Sequence, residues 1–274
     1  MNDLQKKEWS LLVCFDQICR ELGLTYFLVC GSALGAVKYK GFIPWDDDID
    51  VGMLRGDYDR FMREAPGLLP EGIFLQNFRS DPAYPLIFAK LRDSHTTFVE
   101  SGIAHLDVNH GIYIDVFPLD GYPTSFLEQQ RFELRKRMFR FKLLSALESD
   151  YSPWIRLAVM VMRLFGVHKR IGKILTEYEK MISAYPPETS PFICNHGNWQ
   201  GKLEYAPREQ YGAGMPVEFE GILTRIPKQY DAYLTRKYGD WRVDIPLDNQ
   251  KGHHHYTAMD PNIPYTEFFK RTHE

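Results

Sequence analysis

Long uninterrupted hydrophobic runs are missing from this 274-residue chain. No apolar stretch approaches the roughly 20 residues needed to cross a bilayer, so no membrane-spanning helix is expected. The N-terminus, "MNDLQKKEWS", carries charge and no apolar h-region, so no signal peptide is expected. Cysteine is scarce. Cys14, Cys19, Cys30 and Cys194 form no CxxC pair and no zinc spacing, which argues against a disulfide framework and for a reducing, cytoplasmic compartment. Cys14 and Cys30 lie in apolar runs, where a free thiol behaves as a small buried hydrophobe. Net charge is also small. The 33 Lys and Arg against 36 Asp and Glu give −3, and nothing in that balance asks for a nucleic-acid partner. There is no internal repeat and no low-complexity segment. What the chain does have is 44% hydrophobic and 14% aromatic residues, enough for a substantial core.

Residues 3–22 place Leu4, Trp9, Leu11, Leu12, Phe15, Ile18, Cys19 and Leu22 at helical spacing, with Gly23 as the stop. "TYFLVC" (25–30) reads as a strand, "GSALGAVKY" as a helix, "DIDVGM" as a strand and "RGDYDRFMREA" as a helix ended near Pro66 and Gly67. Short β segments follow at "GIFLQNF" (72–78), "LIFAKLRD" (86–93), "TTFVE" (96–100) and "GIYIDVFPLD" (111–120), punctuated by Ser, Asp, Pro and Gly. From about 125 the character changes. "FLEQQRFELRKRMFRFKLLSAL" and "PWIRLAVMVMRLFGVHKRIGKILTEYEKMISAY" read as long helices, basic on one side. The tail from about 190 is rich in Gly, Pro and aromatics, with short strands and a helix near 227–238. The pattern predicts an α+β fold with a core over 1–124, a helical insert over 125–185 and an irregular C-terminal part over 186–274 that completes a cleft.

"GFIPWDDDID" (41–50) crowds four aspartates into five positions. Like charges repel, and Asp is a poor strand former. The ordinary reading of such a run is a solvated acidic turn. Alternation in "DIDV", however, sends Asp48 and Asp50 to one face and Ile49 and Val51 to the other. Two carboxylates spaced about 6–7 Å along a strand repel unless a cation lies between them. Mg²⁺ and Mn²⁺ take oxygen ligands and suit such a pair, with substrate phosphates completing the shell. A calcium loop fits poorly: Val51 stands where that loop needs Gly, and Asp57 where it needs a bidentate Glu. A lone DxD is shared with many sugar-nucleotide glycosyltransferases. Upstream, "LVCGSALGAVKY" puts Gly31 and Ser32 between a strand and a helix, where backbone and helix N-terminus can receive a phosphate. That order is the arrangement of the DNA polymerase β-like nucleotidyltransferase fold, in which a third carboxylate from a later strand completes the metal site. Asp115 is the candidate. Asp120 competes, but it is expected in a turn after Pro118 and before Gly121.

The segment "CGSALGAVKYKGFIPWDDDIDVGMLRGDYDRF" (30–61) closely resembles the hallmark of the LicD family, the phosphocholine transferases that also embrace the fukutin-related ribitol-phosphate transferases. "KLRDSHTTF" (90–98), "GIYIDVFPLDGYP" (111–123) and "YLTRKYGDWRVDIP" with the following "HHHY" resemble it too, in family order over most of the chain. The resemblance implies a nucleotidyltransferase fold and metal-dependent phosphotransfer. The donor would be a CDP-alcohol, typically CDP-choline, and the acceptor a sugar or polyol of a cell-surface glycan, free or lipid-linked. Mg²⁺ or Mn²⁺ would be held by Asp48, Asp50 and Asp115, with Asp46 a further candidate ligand; Asp115 could instead act as general base.

Several other residues are candidates with bland alternatives beside them. Lys90 and Arg92 share a strand face and could hold phosphate, or be exposed strand cations. Lys38 and Lys40 could steer an anionic donor, and Trp45 could stack on cytosine or pack in its loop. One of His253, His254 and His255 could approach the phosphates, with His254 the candidate carried forward; three consecutive His cannot converge as a zinc site. Tyr113, Phe117, Trp199 and Trp241 are available to cage a choline cation. Whole-nucleotide transfer and non-catalytic phosphocholine or glycan binding are the alternative functions. Finally, Arg131, Arg135, Lys136, Arg137, Arg140 and Lys142 precede the apolar "WIRLAVMVMRLFGV". A basic amphipathic stretch over 131–173 attracts anionic lipid, whereas a core helix with a solvated basic face is the other reading.

Overall fold

The N-terminal amphipathic segment folds as α1 (Asp3–Leu22). Asn2 caps it by accepting from the Gln5 N–H at 2.8 Å, and the Gln5 side chain accepts in return from the Asn2 N–H at 3.0 Å. Leu4, Leu11, Leu12, Phe15 and Ile18 are buried, so the apolar stripe is the packed face. There follow β1 (Phe27–Leu28), α2 (Cys30–Tyr39), β2 (Asp50–Leu54), α3 (Arg55–Glu64), β3 (Ile73–Gln76), β4 (Ala89–Asp93), β5 (Thr97–Glu100) and β6 (Ile112–Gly121). The helices α4 (Phe126–Leu143), α5 (Pro153–Leu164) and α6 (Ile171–Ile182) come next. The C-terminal part holds β7 (Phe192–Asn195), β8 (Tyr205–Pro207), α7 (Arg208–Tyr211), β9 (Met215–Phe219), β10 (Ile222–Ile226), α8 (Tyr230–Tyr238), β11 (Tyr256–Asp260) and α9 (Tyr265–Thr272). The computed structural model describes residues 1–246, 250–252 and 254–272.

The fold is α+β with a mixed sheet. Strand order is β1-β2-β6-β4-β3, and β7 and β8 continue the sheet from the far end of β6. β2 runs parallel to β6, and the remaining pairs are antiparallel. All ten residues of β6 are buried, which explains its near-continuous apolar sequence. Two small ribbons, β9 with β10 and β5 with β11, lie beside the main sheet. One hydrophobic core runs from α1 through the sheet to α4, α6 and α8.

Three expectations are corrected. Asp120 is not in a turn: β6 continues through Pro118 to Gly121. β6 pairs with β4 up to Val116 and with β7 from Leu119, so the missing N–H of Pro118 falls where one edge changes partner. The second long helix is broken. Gly166 adopts φ +68 between α5 and α6, a conformation that ends the first helix. The C-terminal part is more regular than its Gly- and Pro-rich composition suggests, because β7, β8 and β11 take their hydrogen bonds from strands far away in sequence.

Candidate active site

Asp50 opens β2 and stands opposite Asp115 in the parallel β2–β6 register. The Asp115 N–H donates to the Ile49 carbonyl at 2.8 Å, carrying the pairing one step further back. Asp48 lies in the segment just ahead of β2. One carboxylate oxygen from each of Asp48, Asp50 and Asp115 lies within 4.8 Å of the other two. The alternation along "DIDV" and the central place of Asp115 in β6 together produce this convergence.

The turn between β1 and α2 fixes the other wall. Ser32 Oγ accepts from the Asp50 N–H at 2.8 Å, tying the start of α2 to the start of β2. Cys30 has φ +51, a strained conformation for a residue with a side chain. It is held there by the Tyr233 hydroxyl, which accepts its N–H at 3.0 Å, and by Lys237 Nζ at 3.3 Å from its thiol. A Cβ at Gly31 would sit 2.7 Å from Asp46 Oδ2, so only glycine allows that carboxylate so close to the backbone. Gly31, Trp45, Asp46, Asp48, Asp50 and Tyr238 are among the residues lining the resulting 460 Å³ cavity.

Burial, reinforced by the charges of Asp48 and Asp115, pushes the Asp50 carboxyl well above the usual range. Burial also raises Asp115, against the pull of Lys90. Asp46 is pushed to about 8 by burial and by Asp48 and Asp47. Lys90 answers part of this charge. It sits opposite Asp115 in the β4–β6 register, with Nζ 2.8 Å from Asp115 Oδ1 and 3.1 Å from Glu100 Oε1, over the face of Tyr113. Glu100 in turn binds Arg92, and these two cations overcome its burial and hold its carboxyl down to about 2. On the other flank, His254 Nδ1 lies 3.0 Å from Asp47 and Nε2 3.8 Å from Asp48. Burial alone would lower the imidazole; its bond to Asp47 and the charge of Asp48 raise it to about 10. Asp47, Asp48 and His254 form a second group whose ligand atoms lie within 4.8 Å of one another.

The structure thus brings Gly31, Ser32, Asp46, Asp48, Asp50, Lys90, Asp115 and His254 together. Arg92 stands further back, fully buried, with its guanidinium on Gln76, the Gly111 carbonyl and Glu100. Lys38 binds the carbonyls of Arg242 and Val243 and the carboxylate of Asp244. Asp120 is taken by Arg55 through two bonds of 2.7 and 2.6 Å. The four candidate cage aromatics have other partners: Phe117 packs against Phe88, Trp199 lies against Arg140, and Trp241 bonds Asp231, while Lys90 itself covers Tyr113. Trp45 lines the cavity, edge-on to Tyr39. His253 lies outside the described residues.

Two residues of this site were not singled out from the sequence. Glu100 joins Lys90 to Arg92. Glu8 on α1 is buried, its Oε2 has no hydrogen-bond partner among the described residues, and burial plus the charges of Asp48, Asp46 and Asp47 push its carboxyl well above the usual range. The signal for Glu8 was available: it occupies the apolar stripe of α1 between Leu4 and Leu11.

Residues 23–148, which include Gly31, all three converging aspartates and Lys90, match the family model described as LicD/FKTN/FKRP, nucleotidyltransferase domain. Over 254 residues the chain is 28% identical to lipopolysaccharide cholinephosphotransferase LicD of Haemophilus influenzae, covering 89% of this chain and 92% of that protein. It is 28% identical over 132 residues to an uncharacterized protein of Rickettsia prowazekii, covering 48% and 46% of the two chains. An uncharacterized protein of Rickettsia typhi is 24% identical over 214 residues, covering 72% and 65%. The motif order, the match over residues 23–148 and this near full-length similarity all point to the LicD family.

Proposed function

We propose that this LicD-type enzyme is a metal-dependent phosphotransferase acting at the cytoplasmic face of the membrane. It moves a phosphoalcohol, phosphocholine first among them, from a CDP-alcohol to a hydroxyl of a cell-surface glycan precursor, and CMP leaves. The observation that carries this reading is the convergence of Asp48, Asp50 and Asp115, the first two of which line one cavity with Gly31. The cholinephosphotransferase similarity over 89% of the chain supports the choice of alcohol. In this reading the core is of the DNA polymerase β-like type.

The donor set fits Mg²⁺ or Mn²⁺. It is all carboxylate oxygen, and the side chains of Lys90 and His254 leave the buried acid in excess. Asp48, Asp50 and Asp115 would hold the ion, with Asp46 and the Asp47–His254 pair beside it. When bound, it would supply charge neutralisation for the phosphoryl oxygens and the departing CMP. The protein's own groups position the rest. Gly31, Ser32 and the start of α2 receive phosphate on the CMP side. Cationic His254 adds positive charge at the rim, and Lys90 fixes the Asp115 carboxylate through its 2.8 Å bond. The acceptor oxygen bonds to the phosphorus that carries the alcohol, opposite the CMP oxygen; that P–O bond breaks and CMP keeps its electrons. The hydroxyl proton passes to Asp115 in the alternative in which that carboxylate serves as base instead of metal ligand.

A screen of CDP-alcohols for CMP release with Mg²⁺ or Mn²⁺ tests the proposal. CMP appearing in step with a phosphodiester-linked alcohol on the acceptor is the expected result. Pyrophosphate release from CTP, with cytidine on the product, would replace this reading by whole-nucleotide transfer. Phosphocholine binding without turnover under either metal would make the chain a binding protein.

A further inference from the structure

The helical region contains two different kinds of helix. α4 and α6 are core helices: Phe132, Phe139, Ile174, Leu175 and Tyr178 are buried. α5 is not, since Val159 is its one buried residue. Trp154 is 82% exposed, Leu164 78% and Phe165, just past the helix end, 77%; Leu157 and Val161 are exposed as well. At 3.6 residues per turn these five fall on one stripe. Arg156 and Arg163 lie on the side of the helix away from it, and Arg163 anchors the helix by donating to the carbonyls of Ser145 and Leu147. α4 carries a second exposed apolar stripe at Leu127, Leu134, Met138 and Phe141. An apolar face left open in this way marks an interaction surface.

Charge selects the occupant. Residues 131–173 hold 11 Lys and Arg against 3 Asp and Glu, a net +8, whereas the whole chain is −3. A second copy docked through the same face about a twofold axis would set +8 against +8. An anionic lipid surface complements both the charge and the hydrocarbon. The helix cannot span: twelve residues reach about 18 Å, against roughly 30 Å of bilayer core.

We infer that α5 lies in the plane of an anionic membrane, with Trp154, Leu157, Val161, Leu164 and Phe165 in the boundary between headgroups and acyl chains. The placement also bears on the reaction. A 740 Å³ groove runs between α5, residues 147–151 and Ser101. The Ser101 N–H donates to the His255 carbonyl at 2.8 Å, one residue from His254 on the aspartate cluster. A lipid-carried acceptor would therefore be presented beside the site; this last step rests on the proposed function, and the membrane contact does not.

Flotation of the full chain with phosphatidylcholine vesicles, with and without phosphatidylglycerol, tests the inference at low and high salt. Co-flotation with the phosphatidylglycerol vesicles, weakened by salt, is expected, together with a blue shift of tryptophan emission that is lost in Trp154→Ser. The Leu157→Ser/Leu164→Ser pair is expected to lower vesicle binding by about tenfold or more, because each leucine removes its share of apolar burial. Its thermal transition and its CMP release with a soluble acceptor are expected to stay unchanged. Absence of binding to phosphatidylglycerol vesicles at low salt overturns the inference. So does a concentration-dependent dimer that the same pair of substitutions abolishes, since the face would then be a protein interface. Neither result depends on whether CMP is released.

Discussion

At the junction of β2 and β6 the protein buries charge; along α5 it exposes hydrocarbon. Both run against the ordinary cost of solvation, but they are built differently. Asp115 and its neighbours are over-determined: Lys90, Glu100, Arg92 and Tyr113 hold one another through short contacts in the sheet interior. α5 is under-determined, with one buried side chain and two carbonyl contacts from Arg163. Substitutions in the first region are therefore expected to change chemistry or stability, and those on the outer face of α5 to change neither.

Asp50→Asn should give the largest effect. On the proposed function it removes one ligand charge, and CMP release is expected to fall by at least about 10²–10³-fold. Its thermal transition should hold or rise, because Asp48 and Asp115 crowd the buried carboxyl. A variant that loses activity only because it unfolds would make the cluster a structural feature and dissolve the contrast.

Lys90→Met should instead act on stability. It leaves Asp115 and Glu100 without their shared cation in a buried setting, a loss of about 3–5 kcal/mol by urea titration. Adding Glu100→Gln should cost less than it does in the parent protein, since its ion pair with Lys90 is already gone and only Arg92 still holds it. Additive effects would show that the network is less coupled than its geometry.

Acid titration sharpens the same point. The Glu100 carboxyl is held at about 2, below its ordinary 4.5, because Lys90 and Arg92 outweigh its burial. A depressed folded value means that its contribution is fully present above 4.5 and is lost as pH falls through about 2. That contribution is on the order of 3 kcal/mol. The stability difference between the parent protein and Glu100→Gln should therefore shrink across that window. A difference that stays constant from pH 5 to 2, in roughly those bounds, would deny the pairing.

How much of this was legible follows from which contacts are local. The extents of α1 and α3 could be read from helical periodicity, and the facing of Asp48 and Asp50 from strand alternation. Asp115 was legible as a carboxylate inside an apolar strand, although its direct register with Asp50 was not. The partners of Arg92 and Lys38 were hidden because they come from residues brought close only by the tertiary fold. Asp120 was misplaced for a local reason: Pro118 and Gly121 look like turn residues until β7 is known to replace β4 at that edge. In the helical region, composition left membrane contact and core packing both open. Burial distinguishes the helices from one another, with α6 packed and α5 exposed.

The smallest expected effect tests the other half of the contrast. Leu157 is exposed on α5, so Leu157→Ser removes little packing and should change unfolding free energy by less than about 0.5 kcal/mol. Phe139 on α4 is the matched control. It is buried and stacks on Tyr178 at 5.4 Å, so Phe139→Ala should cost about 3–5 kcal/mol. The two residues lie in the same basic, helical stretch of sequence and differ in what they touch. If Leu157→Ser cost as much as Phe139→Ala, α5 would be a core helix whose packing partner is another part of the protein, and its apolar stripe would need no membrane to explain it. A near-zero cost at Leu157 beside a large one at Phe139 would leave the exposed hydrocarbon without a role in folding, which is the condition a docking face must meet.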